Sequence, residues 1–234
     1  MNANVLPRSV LVGSAEHGIA PAQVCTEPQG WNPTRFAREQ IRGLVRRVFF
    51  SNTGQPVRQV VFSAAGSGID ASDICDRVGQ ALAQETAAEI AIVSRNPPPG
   101  TQLPRSQAYS CSSGSSIKSR SSQIANNLWC VPECGLRELS PEPATERCWL
   151  WALAELRNDF EYVVIEGPAA GASSESGLLG QLTDGIILVL EAHVTRKATA
   201  RQIKETLESM QCRILGTVLS ERTFPVPEGI YRRL

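Results

Sequence analysis

The stretch VRQVVFSAAGSGIDASD, residues 57–73, decides the fold. It opens with a β-branched run, Val57 to Phe62, and passes through small residues, Ser63 to Gly68. A helical pattern follows over Asp70 to Gln84, with Ile74, Val78, Leu82 and Ala83 on one face. Glu89 to Val93 (EIAIV) is the next strand. A strand, loop, helix and strand in this order imply parallel strands joined by crossovers. The loop has the layout of a phosphate cradle, with Gly66, Ser67 and Gly68 just before a helix start. Glycines let backbone amides turn inward around an anion, and the helix N-terminus adds partial positive charge.

Two parts of a working cradle are missing. A Lys after the last Gly neutralises the outer phosphates, and a Ser or Thr beside it ligates magnesium. Here Ile69 and Asp70 stand in those places. Ile69 supplies no charge. Asp70 puts a carboxylate at the helix N-terminus, where it can cap the amides a phosphate would use. Asp73 adds a second like charge within one turn.

The same rhythm runs through most of the chain. Thr34 to Phe50 reads as an amphipathic helix ahead of the first strand. Asn127 to Val131, Tyr162 to Ile165, Gly185 to Leu190 and Ile214 to Leu219 read as further strands, and Thr145 to Asn158, Gly177 to Leu182 and Thr195 to Met210 as helices. About six parallel strands follow, in a doubly wound α/β sheet with helices on both faces. Residues 1–33 have no period and read as a tail or irregular lead-in. Residues 34–234 read as a single domain. It carries an expected mobile insertion at 97–126, rich in Pro and then in Ser over 110–122.

Composition narrows the function. The 234 residues carry 23 Lys and Arg against 23 Asp and Glu, a balance that gives no general grip on nucleic acid. Seven cysteines and two histidines form no metal-binding pattern, so free thiols in a reducing cytosol and no metal are expected. No segment reaches the roughly 20 apolar residues of a membrane span. The expected location is the cytoplasm, with any work at the inner face of the membrane depending on recruitment by a partner.

Several segments together resemble the bacterial tyrosine kinases of capsule and exopolysaccharide synthesis, whose wider kin are the MinD- and ParA-like ATPases. They are EQIRGLVRRVFF (39–50), NLWCVP (127–132), FEYVVIEGP (160–168), TDGIILVLEAHVTRKATARQ (183–202) and ILGTVLSERTFPVPEGIYRRL (214–234). The likeness covers roughly residues 36–94 and 127–234. It implies a P-loop, three-layer fold that binds ATP and magnesium, ring-like self-assembly, and a membrane chain-length regulator as partner. Residue by residue, Gly66 and Gly68 match the loop glycines, Ile69 the Lys and Asp70 the Ser or Thr. Ser94 and Asn96 stand where two acidic residues belong, and Glu166 keeps a later acidic position. Glu39 and Arg42 match two members of an assembly motif, with Val45 at the third place and Arg46 shifted by one. Only Tyr231 remains of a C-terminal tyrosine cluster.

The resemblance therefore implies a degenerate member with no catalytic residues and no cofactor. The expected role is a kinase-like binding partner of an active kinase or chain-length regulator, or a self-associating protein. One alternative is an active tyrosine kinase with unconventional phosphate binding, in which Glu166 holds the metal and Arg196 or Lys197 replaces the cation. A positioning ATPase of the MinD or ParA type is a third reading, but residues 62–70 lack its second Lys.

Overall fold

The computed structural model describes residues 33–51, 54–97, 116–137 and 146–221. Among the described residues seven strands form one sheet: β1 (Gln59–Ala64), β2 (Ile90–Ser94), β3 (Ser122–Ala125), β4 (Leu128–Pro132), β5 (Tyr162–Gly167), β6 (Gly185–Glu191) and β7 (Ile214–Ser220). Their spatial order is β3-β4-β2-β5-β1-β6-β7. All neighbours are parallel except β3, which runs antiparallel to β4. The helices are α1 (Pro33–Phe49), α2 (Ser72–Glu85), α3 (Glu133–Arg137), α4 (Glu146–Asp159), α5 (Glu175–Leu182) and α6 (Lys197–Ser209).

Strand periodicity divides the core into two layers. Val60, Phe62, Ile92, Val164 and Ile187 point to the face covered by Val45 and Phe49 of α1 and Val78 and Leu82 of α2. Val61, Val93, Val131, Val163 and Ile165 point to the face covered by α3 to α6, through Leu136, Leu153, Leu156, Leu179 and Ile203. Because both faces are covered, the central strands are apolar at nearly every position.

The expected insertion at 97–126 needs a correction at its end. A 3-10 turn over Ile117–Arg120 and strand β3 fall inside it. Ile117 is buried in the core, while Ser116 Oγ and the Lys118 N–H donate to Asp159 Oδ2 at 2.7 and 3.0 Å. Lys118 also lies 5.0 Å above the Trp129 ring and pairs with Glu89 at 2.9 Å. One apolar anchor and a handful of polar contacts order this piece, and neither gives a periodic pattern in sequence. The remainder of the Ser-rich stretch, the 1–32 lead-in and Tyr231 lie outside the described residues.

A polar clamp closes the end of the sheet where the strands begin. Asp184 Oδ2 accepts from the backbone N–H groups of Arg58 and Gln59, each at 2.7 Å. Arg157 donates to Asp184 Oδ1 and to Gln59 Oε1, each at 2.8 Å, and Gln59 Nε2 donates to Leu153 C=O at 2.8 Å. Gly185, next in line, has φ 153°, and a Cβ there would sit 2.6 Å from the Arg213 carbonyl oxygen. The clamp therefore ties β1, α4 and the start of β6 together at the pole away from the loop of residues 65–71.

Candidate functional site

At the opposite pole the chain leaves β1 into the glycine loop. Ala65 N–H donates to Val189 C=O at 2.9 Å, and Ala170 N–H to Ala64 C=O at 2.8 Å, fixing both walls of a cleft. The cleft holds about 470 Å³ and is lined by the loop from Gly66 to Ala71, by Arg95 and Asn96 after β2, and by Glu166 to Ala169 at and just past the end of β5. The five expected loop residues, Gly66 to Asp70, and the expected acid, Glu166, thus meet at one place beyond the carboxyl ends of the strands. That is where ligands bind in sheets of this kind.

Local geometry sets what the loop can do. Ile69 N–H donates to Gly66 C=O at 3.2 Å, and the Ile69 side chain packs against both apolar clusters. Its Cδ1 lies 3.9 Å from where a Cβ of Gly66 would be, so the loop closes on its own hydrocarbon. Asp70 Oδ1 accepts from the Ser72 N–H at 2.8 Å. The helix, expected from Asp70, begins at Ser72, whose amide the Asp70 carboxylate satisfies from two residues upstream. Asp73 pairs with Arg77 at 2.9 Å. Asp76 is held above its ordinary value by burial and by the charges of Asp73 and Asp70. Three carboxylates therefore stand within two turns of the start of α2.

Glu166 is not the solvated strand-end carboxylate that its isolated position suggests. It is buried, at 8% exposure, and Oε2 accepts from Ser94 Oγ and from the Arg95 N–H, both at 3.0 Å. Burial pushes its carboxyl above the ordinary value; the Arg95 and Ser94 hydrogen bonds pull it back, and the charge of Asp70 adds to the rise. Ser94, standing where the resemblance places an acid, is the donor that makes Glu166 tolerable there.

Sequence reasoning missed the cation of the cleft. Arg95 lines it, and its Nε pairs with the buried Glu133 at 3.2 Å. A lone Arg after a strand carries no spacing signal that would single it out. Arg196 and Lys197, exposed at the start of α6, are not among the lining residues. Cys75 is buried beneath the loop and pushed well above the ordinary thiol value, chiefly by burial. No group of three or more metal-ligating side chains occurs among the described residues.

The expected assembly residues lie on α1 and face Glu85 at the end of α2. Arg42 and Arg46 both donate to Glu85, Arg46 Nη2 at 3.1 Å, and Glu39 pairs with Arg42 at 3.5 Å. These charges satisfy one another within the chain.

No protein-family model matches the sequence. A relative named tyrosine-protein kinase YwqD, of Bacillus subtilis (strain 168), is 24% identical over 202 residues, covering 83% of each chain. The chain is similar to this bacterial tyrosine kinase over most of both lengths. Solved structures are similar in fold. The chimerical protein CapA2B2 matches with TM-score 0.59 and 19% identity, over 83% of this chain and 86% of that one. The VpsO kinase domain matches with TM-score 0.56 and 19% identity, over 81% and 98%. The MinD cell division protein of Aquifex aeolicus matches with TM-score 0.51 and 15% identity, over 76% and 73%. The chain thus has the three-layer α/β fold of these structures, and no described helix is long and apolar enough to cross a membrane.

ATP and magnesium, which the fold family implies, do not fit the residues present. The loop offers no cation, Asp70 occupies the Ser72 amide itself, and Glu166 faces the same cleft. Arg95 is the counter-charge there, and it is engaged with Glu133.

Proposed function

We propose that this chain is a catalytically silent, kinase-like protein that acts through binding. Its place is exopolysaccharide or capsule assembly, alongside an active kinase or a membrane chain-length regulator that holds it at the inner face of the membrane. The supporting observation is the Asp70 carboxylate bonded to the first amide of α2, in a cleft it shares with Glu166. A phosphate charge about 4 Å from such a carboxylate is repelled by about 4 kcal/mol at an effective dielectric near 20. Loss of one positioned charge-stabilising donor costs about a hundredfold or more in rate. Here the loop Lys, the hydroxyl beside it and the acids at 94 and 96 are all replaced. No catalytic residue and no cofactor are assigned.

Arg95 favours a second reading, an active kinase with unconventional phosphate binding, since it is a cation lining the cleft. Differential scanning fluorimetry with ATP, with and without magnesium, separates the two. The wild type is expected to show no shift, and the double variant Ile69→Lys, Asp70→Thr a magnesium-dependent one. A magnesium-dependent shift in the wild type would establish the second reading. Pull-down with a purified chain-length regulator tests the partner; no retention of either a regulator or an active kinase would count against the binding role.

A further inference from the structure

Among the described residues the cleft has three charged lining side chains, Asp70, Glu166 and Arg95. Arg95 is committed elsewhere, since its Nε pairs with Glu133, whose side chain is only 10% exposed. Glu166 is 8% exposed, and both of its hydrogen bonds, from Ser94 Oγ and the Arg95 N–H, end on Oε2. Its other oxygen, Oε1, accepts from no described residue and opens into the cleft. Asp70 divides its oxygens in the same way. Oδ1 accepts from the Ser72 N–H, and Oδ2 has no partner among the described residues. A carboxylate set as deeply as Glu166 needs hydrogen bonds or a counter-charge to offset its lost hydration. Burial and the charge of Asp70 hold its carboxyl above the ordinary value, as befits a charge short of a cation.

The rest of the lining narrows the occupant. Ala64, Ile69, Pro168, Ala169 and Ala172 give the cleft an apolar wall. A hydrated divalent ion gains nothing from such a wall, and it asks for more oxygen ligands than two carboxylate groups supply. An anion meets two like charges. An alkyl chain ending in a cation suits both parts of the lining. Its methylenes lie along apolar surface while the charged head reaches polar partners. The volume of about 470 Å³ falls within the range of about 300–1,000 Å³ for small-ligand pockets.

We propose that the cleft receives a cationic side chain, the guanidinium or ammonium head of an Arg or Lys on a protein partner, held by Glu166 Oε1 and Asp70 Oδ2. The inference rests on the reading that the cleft takes no nucleotide, and it names what a partner inserts there instead. Hydrogen bonds from a charged donor to a carboxylate are roughly twice as strong as neutral ones, so one inserted head makes an anchor for a larger contact. Ile69, which removes the loop cation, then has a second role as the surface along which the methylenes lie.

NMR titration of the full chain with N-acetyl-arginine amide at neutral pH tests the assignment. The Arg95 and Ser72 amides are its reporters, because each is bonded to the other oxygen of a carboxylate in question. Both are expected to shift saturably, and the neutral analogue N-acetyl-citrulline amide is expected to leave them in place. Glu166→Gln should weaken binding at least about tenfold, as loss of a charged hydrogen-bond partner does. Asp70→Asn, at an exposed position, should weaken it too and serves if the first variant does not fold. No saturable shift, an equal response to the neutral analogue, or full binding in both variants would overturn the proposal. Glu166-dependent binding of spermidine tighter than that of the capped arginine would overturn the protein source in favour of a free polyamine. A parallel titration with ATP and magnesium keeps the two readings apart. Saturable shifts there would overturn the silent-site reading and this inference with it, whereas no response to either probe would overturn this inference alone.

Discussion

Glu166 accepts two hydrogen bonds on one oxygen, yet burial and the nearby Asp70 charge still hold its carboxyl above the ordinary value. The sign of the linkage follows. Stability from a group with a raised folded value is fully present below its unfolded value and is lost as pH rises through the folded one. Glu166→Gln keeps an acceptor for the Arg95 N–H and removes the charge. The variant is expected to melt above the wild type at about pH 7.5, and the two melting curves to converge below the ordinary glutamate value of 4.5. Calorimetry across that range checks it; an unchanged or lower melting temperature at neutral pH would contradict the reading. At this scale the sequence told much about the loop, because Gly66, Gly68, Ile69 and Asp70 are neighbours in the chain. It told nothing of Ser94 Oγ or the Arg95 N–H reaching Glu166, since those contacts join positions about 70 residues apart.

Among the elements, those with a strong apolar period were legible to within a residue or two, as for β5, β6 and α4. Those held by single anchors were not. Ile117 carries the 3-10 turn ahead of β3, and Ile117→Ala is expected to cost about 2–4 kcal/mol and to loosen β3. Chemical denaturation reports the first effect, and amide hydrogen exchange at β3 the second. The strand-start clamp makes a larger demand. Asp184→Ala removes the acceptor of two backbone N–H groups and the partner of Arg157. A loss of about 2–4 kcal/mol is expected from urea unfolding. Asp184 looked like an ordinary turn residue in sequence, because its worth comes from β1, which lies more than a hundred residues earlier.

For the whole molecule, ligand linkage gives the sharpest check. A site binding ATP at about 10 μM would stabilise the chain by about 2.7 kcal/mol at about 1 mM nucleotide. A domain of this size would then melt about 5–10 °C higher. No rise is expected for the wild type with magnesium and ATP, and none on adding a chelator. The charges that the resemblance ties to self-assembly have a separate handle. Glu85→Ala frees Arg42 and Arg46, whose side chains are about half exposed, so only a small change in stability is expected. Sedimentation of that variant reads whether those arginines, once released, join copies of the chain.

The clamp at Gln59, Arg157 and Asp184 lies at the far end of the sheet from the glycine loop. Rigidity and chemistry are thus held in different places, and the loop can be rewritten without loosening the scaffold. In a library randomised at 66–70, most members should still express as folded protein, whereas one randomised at 59, 157 and 184 should yield few. A frame of this kind can trade one ligand for another while its architecture stays put.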